Sequence, residues 1–152
     1  MKQHCAPGAS GFTLVELVMV IILIGALSAL GVGLFASRSA FSPLLATQQL
    51  AAATLLAQQA ALAGNPGGSL RIEQSSDEFR FVVGAGTPAA HMFELPREGT
   101  SLTVGGSLPL IINFAPDGAP QSGTDTEFVF IGQSSFSTCL SSLGAVYRGP
   151  CL

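Results

Sequence analysis

A single acid stands inside the most apolar stretch of this chain. From Phe12 to Ala36 the sequence reads FTLVELVMVIILIGALSALGVGLFA, and Glu16 is its only ionisable side chain. A carboxylate in such surroundings is costly unless it meets a counter-charge, so Glu16 marks a place where a partner is needed. A second reading keeps it at headgroup level near the start of a helix, where the helix dipole favours a negative charge.

The other residues able to do chemistry are few. Cys139 and Cys151 sit near the C-terminus without the neighbouring His or Cys that zinc would need. Asp117, Asp125 and Glu127 gather around a Gly/Pro-rich segment and offer oxygen ligands to calcium, as weak candidates. Their spacing matches no EF-hand loop, and acids in loops are ordinarily just solvated. His91 has no nucleophile-and-acid company in the sequence and reads as a strand-edge or surface residue. With no phosphate-cradling glycine loop, paired carboxylates or triad signature, the chain reads as a non-enzyme that takes no cofactor.

Composition narrows the classes further. Of 152 residues only six are Lys or Arg against nine Asp or Glu, for a net charge of −3. The six are scattered, so no basic surface is available to neutralise a polyanion, and nucleic-acid binding is disfavoured. Hydrophobic content of 48% is high for a soluble protein, and the N-terminal run is a major reason.

The elements that must position Glu16 begin with that run. Its 25 residues, at about 1.5 Å per helical residue, suffice for a hydrocarbon core of about 30 Å. A secretory signal has a shorter apolar core ending in a small-x-small cleavage site; this run continues into a helix-forming segment instead, which favours retention in the membrane. Lys2 favours a cytoplasmic N-terminus. Cys5 ends no apolar stretch and so does not resemble a lipidation site; if the N-terminal stretch is removed, two cysteines remain.

The start of the run is specific. Gly11-Phe12-Thr13-Leu14-Val15-Glu16, behind a short polar leader, resembles the processing site of type IV pilins and type II secretion pseudopilins. The resemblance implies that a prepilin peptidase cuts between Gly11 and Phe12 and methylates the new N-terminus. Glu16 would then pair with the freed amine of a neighbouring subunit and fix its axial stagger. One departure is Gly33, where type IV pilins commonly carry proline. Gly31-Val32-Gly33 is expected to be the weak point of the helix instead, and Pro43 to kink or interrupt it.

Residues 43–63, rich in Ala, Leu and Gln, predict a second helical stretch, with Leu44, Leu45, Leu55, Leu56 and Leu62 on one third of the wheel and Gln48 and Gln59 intruding. That face is expected to pack on a head domain, its upper part lining a filament interior. Gly64-Asn65-Pro66-Gly67-Gly68 ends it. The period then changes to two: residues 69–74 and 78–83 predict a hairpin with Phe79, Phe81 and Val83 inward and Arg80 outward. Further strands are predicted over 90–95, 101–104, 108–114 and 127–131, with weaker ones over 136–140 and 145–147.

The expected fold is α+β, a long N-terminal helix on one small antiparallel sheet, the pilin fold. The expected organisation is a cleaved leader over 1–11, a membrane and assembly helix over 12–36, an amphipathic helix over 37–63 and a β-rich periplasmic head over 69–152. Residues 110–123 (LIINFAPDGAPQSG) are similar to a segment of the GspH/FimT group of minor pseudopilins and pilins. Cys139 and Cys151, with Gly144-Ala145-Val146-Tyr147 between them, look like an MSHA-type minor pilin. In the oxidising periplasm that this implies, the two cysteines form a disulfide or remain as two buried thiols.

The function so implied is that of a minor pilin or pseudopilin precursor, a structural subunit in the inner membrane. Its partners would be the prepilin peptidase, other pilin subunits and the inner-membrane assembly platform. The rivals are a DNA-uptake minor pilin and a signal-anchored periplasmic binding domain with no assembly role.

Overall fold

The computed structural model describes residues 12–35 and 38–152. The expected leader over residues 1–11, with Cys5 and Gly11, lies outside the described residues. The chain divides into two compact units, Met1–Ser37 and Arg38–Leu152.

The first unit contains helix α1, Leu14–Phe35. Thr13 opens it: the Glu16 amide donates to Thr13 Oγ1 at 3.3 Å, and the Thr13 amide donates to Glu16 Oε2 at 3.0 Å. This is a reciprocal capping box, which satisfies two otherwise orphaned amides. The helix runs through Gly31 and Gly33, so the expected weak point is not a break. Its 22 residues extend about 33 Å. Side chains from Phe12 to Ala29 are exposed on every face, the pattern of a helix whose solvent is lipid or other helices.

The second unit is an α+β head. Helix α2, Arg38–Leu62, contains Pro43 and continues through it. The expected interruption does not occur: Pro43 is the sixth residue of α2, and the helix runs on past it without the amide bond that proline cannot donate. Eight strands follow: β1 Ser69–Gln74, β2 Glu78–Val83, β3 His91–Pro96, β4 Ser101–Val104, β5 Leu110–Asn113, β6 Thr126–Ile131, β7 Ser135–Leu140 and β8 Val146–Arg148.

They form two four-stranded antiparallel sheets, ordered β3-β2-β1-β5 and β4-β6-β7-β8, where one was expected. The chain enters the second sheet with β4, returns to the first with β5 and leaves again with β6. Strand pattern alone does not specify that interleaving. The predicted hairpin has the expected bounds, with Leu70 opposite Val83 and Gln74 opposite Phe79. Phe79, Phe81 and Val83 are buried and Arg80 is exposed.

Both sheets and α2 enclose one core, in which Phe79, Phe81, Phe128, Phe130, Leu50, Leu70, Ile72 and Leu140 are fully buried. The Phe79 and Phe130 rings meet edge-to-face at 5.5 Å, joining the two sheets; such a pair adds about 1 kcal/mol beyond its buried area. The leucine-rich face of α2 is not what the head buries. Its inward apolar face is mostly small, Ala46, Ala53, Ala57 and Ala61, with Leu50 the large aliphatic side chain among them. Small side chains let the helix backbone come close to the strands. A Cβ on Gly68, just before β1, would lie 2.7 Å from Ala61 Cβ.

Among the described residues Ala40–Leu62 is long and apolar enough to cross a membrane, but 44% of its most apolar 18-residue window is buried within the protein, and Leu14–Ala29 counts as a shorter apolar helix. The head core accounts for the buried part of the apolarity of Ala40–Leu62.

Candidate assembly site

Burying the alanine face leaves α2 with a second apolar face. Phe41, Leu45, Gln48, Ala52, Leu55, Gln59 and Leu62 are all exposed. Their spacing alternates four and three residues without a slip, the repeat of a coiled-coil seam. Leu45, Leu55 and Leu62 are three of the five leucines singled out in the sequence, while Leu44 and Leu56 are half-buried at its flanks. The leucine pattern was legible; that its stripe faces away from the head was not.

Hydrogen bonds hold α2 against the head from end to end. Ser42 Oγ donates to the Arg97 carbonyl at 3.0 Å, and Ser134 Oγ donates to the Ala40 carbonyl at 3.1 Å. Near the far end, the buried Gln58 donates from Nε2 to the carbonyls of Gly144 at 2.6 Å and Gly118 at 3.1 Å. Pro43 packs where the β6–β7 turn arrives: a Cβ at Gly132 would stand 2.9 Å from Pro43 Cγ. The exposed seam is thereby presented by a helix fixed on its other side.

In the first unit, Thr13 Oγ1 also donates to Glu16 Oε2 at 2.9 Å. Both Thr13 contacts fall on Oε2, so the capping box engages one carboxylate oxygen and spends none of Oε1. Sequence reasoning missed Thr13, although Thr-x-x-Glu at the head of an apolar run is the signal for this cap. Phe12, immediately before it, is 85% exposed. Gly11, the other side of the expected cleavage site, lies outside the described residues.

The remaining predicted sites are dispersed. Cys139 and Cys151 form a disulfide with a Cα–Cα distance of 5.1 Å, tying the buried end of β7 to the C-terminus. Asp117 Oδ1 accepts the Ala119 amide at 3.0 Å, while Asp125 Oδ1 accepts the Ser142 amide at 2.6 Å, so these two acids serve separate turns. Glu127 is half-buried on β6. Among the described residues no group of three His, Cys, Asp or Glu is placed to hold a metal ion. His91 is exposed at the start of β3, opposite Val83.

No family model matches the chain, and no curated protein does. Two solved structures match in fold, both of the type IV minor pilin FimU of Pseudomonas aeruginosa in different crystal forms. One gives a TM-score of 0.51 over 70% of this chain and 92% of that one, and the other 0.52 over 71% and 88%. The chain has the type IV minor pilin fold. Sequence identity is 14% in both cases, so what is shared is the architecture rather than the surface chemistry.

Proposed function

We propose that the chain is the precursor of a minor pilin or pseudopilin, a structural subunit of a Gram-negative type IV filament system. The observation that carries this reading is the exposed seam of α2, an unpartnered heptad stripe on a helix whose opposite face is already buried in the head. A second helix would complete it. An α1 that is apolar all round supports the same reading, since it suits a bilayer first and a bundle of like helices afterwards.

In this reading the precursor waits in the inner membrane as a single-pass protein, its N-terminus cytoplasmic and its head periplasmic. Prepilin peptidase cuts between Gly11 and Phe12, Phe12 is N-methylated, and the inner-membrane platform adds the subunit to a pilus or a secretion pseudopilus. Glu16 then offers a carboxylate to the new N-terminal amine of a neighbour, which selects correct stagger because an unpaired buried charge is costly.

Two other readings are disfavoured. Nucleic-acid uptake would call for an exposed basic cluster, yet Arg71 pairs with Glu73 at 2.6 Å and Arg80 pairs with Glu94 at 3.3 Å. A signal-anchored binding domain would leave the α2 seam without purpose. Mass analysis of the membrane form, with and without prepilin peptidase, decides among them. A product beginning at Phe12 and carrying one added methyl group is expected; an intact chain in the presence of active peptidase would sink the proposal.

A further inference from the structure

The two sheets meet at an open corner. A cavity of about 730 Å³ lies there, walled by β5 on one side and by β4 and β6 on the other, within the size range of sites that hold small ligands. Its lining shares no residue with α1 or with the α2 seam.

One wall of this groove is an unpaired strand edge. β5 is the last strand of its sheet, bonded to β1 alone with Ile112 opposite Leu70 and Leu110 opposite Ile72. The Phe114 amide donates to the Gly68 carbonyl at 2.9 Å. By the alternation of an antiparallel ladder, Ile112 and Leu110 then bond toward β1, and Ile111 turns its N–H and C=O to the open edge. The Asn113 carbonyl on that edge is already taken by the Gln121 amide at 2.8 Å. The Ile111 side chain, 55% exposed, stands at the groove.

The segment through Pro120 and Gln121 covers this edge from Asn113 onward, and before that point the edge of β5 is bare. Natural edges are blunted by charge, by proline or by cover. The opposite edge of the same sheet, β3, has the first two, with Glu94 and a terminal Pro96. β5 reads Leu-Ile-Ile-Asn and has neither.

The charges of the groove are of one sign. Among the described residues Asp125 and Glu127 are the only ionisable ones that line it, with no Lys, Arg or His. Asp125 commits one oxygen to the Ser142 amide. Glu127 is half-buried on β6, and its carboxylate makes no hydrogen bond or ion pair among the described residues. Val129, two residues on along β6, lies on the same face of the strand beside it.

We propose that this corner binds an extended, basic segment of a partner protein by strand addition to β5. Backbone bonds to Ile111 would supply register, an apolar side chain would lie against Ile111 and Val129, and a Lys or Arg would meet Glu127 and Asp125. A polyanion is repelled by the same two carboxylates.

The test uses the full chain in detergent and fluorescent peptides of about six residues that alternate Thr and Val around one central Lys or one central Glu. The Lys peptide is expected to bind, about tenfold more tightly than the Glu peptide, with backbone amide shifts at Ile111 and Asn113. Glu127→Gln is expected to weaken it about fivefold, an effect lost at high salt. A Lys peptide N-methylated at the amide that faces Ile111 is expected to lose binding with no change to the protein. Equal binding of both peptides, or indifference to N-methylation, would overturn the proposal. Self-association of the chain that shifts the same amides while the Lys peptide stays unbound would overturn it too, assigning the edge to a second copy.

Discussion

The side-chain amide of Gln58 donates to the backbone carbonyl of Gly144 across 2.6 Å, linking α2 to the β7–β8 turn. The same nitrogen reaches the Gly118 carbonyl at 3.1 Å, so one buried residue serves two turns that are distant in sequence. Replacement by leucine would leave both carbonyls without their donor in a buried place. Gln58→Leu is expected to cost about 2–3 kcal/mol, read as a lower urea midpoint at unchanged slope.

Gly144 completes that arrangement from the other side. Its φ is +89°, and a Cβ there would stand 2.5 Å from the Gly118 carbonyl oxygen and 2.9 Å from Gln58 Nε2. Gly144→Ala is therefore expected to destabilise the head by about 2 kcal/mol or more. Because both changes break one cluster, the double variant should cost less than the sum of the two. A double-mutant cycle giving strict additivity would refute the coupling.

The two faces of α2 should respond oppositely to substitution. Leu55 is 51% exposed on the seam, so Leu55→Lys is expected to leave head stability within about 0.5 kcal/mol. It should nonetheless abolish incorporation into filaments, scored by immunoblot of sheared fractions. Ala57 is wholly buried, and Ala57→Leu is expected to cost about 1–3 kcal/mol through overpacking.

Glu16 has two separable roles, and the capping box shows how to divide them. Glutamine at this position keeps a side-chain oxygen for the Thr13 amide and removes the charge. Glu16→Gln is expected to retain helix content by circular dichroism in detergent while losing filament incorporation. Thr13→Ala is expected to do the reverse, fraying the first turn at a cost of about 1 kcal/mol while leaving the carboxylate in place.

The Cys139–Cys151 bridge closes a separation of 12 residues. Loop-closure entropy for that length assigns it about 3 kcal/mol. Cys151→Ser is expected to lower the thermal midpoint by several degrees, as should reduction of the unaltered protein. Reduction should have no further effect on the Cys151→Ser variant.

Much of this protein was determined by local pattern. A membrane-length run with one acid, a Gly-Phe-Thr-Leu-Val-Glu start and alternating Phe79-Arg80-Phe81 are features of neighbouring residues, and periods of 3.6 and 2 survive any tertiary arrangement. They were enough for two helical stretches, an α+β head and most strand bounds. Only the tertiary structure decided which face of α2 is buried. Hydrophobicity pointed to leucine, whereas close approach to the strands selected alanine, and leucine was left facing outward. Only tertiary structure split the strands into two sheets, since β4, β5 and β6 alternate between them and pairing partners carry no local mark. The same interleaving sends Asp117 and Asp125 to separate turns and turns the edge of β5, beside Glu127, into an open corner. Chain neighbours declare themselves in sequence; residues brought together by crossing connections do not.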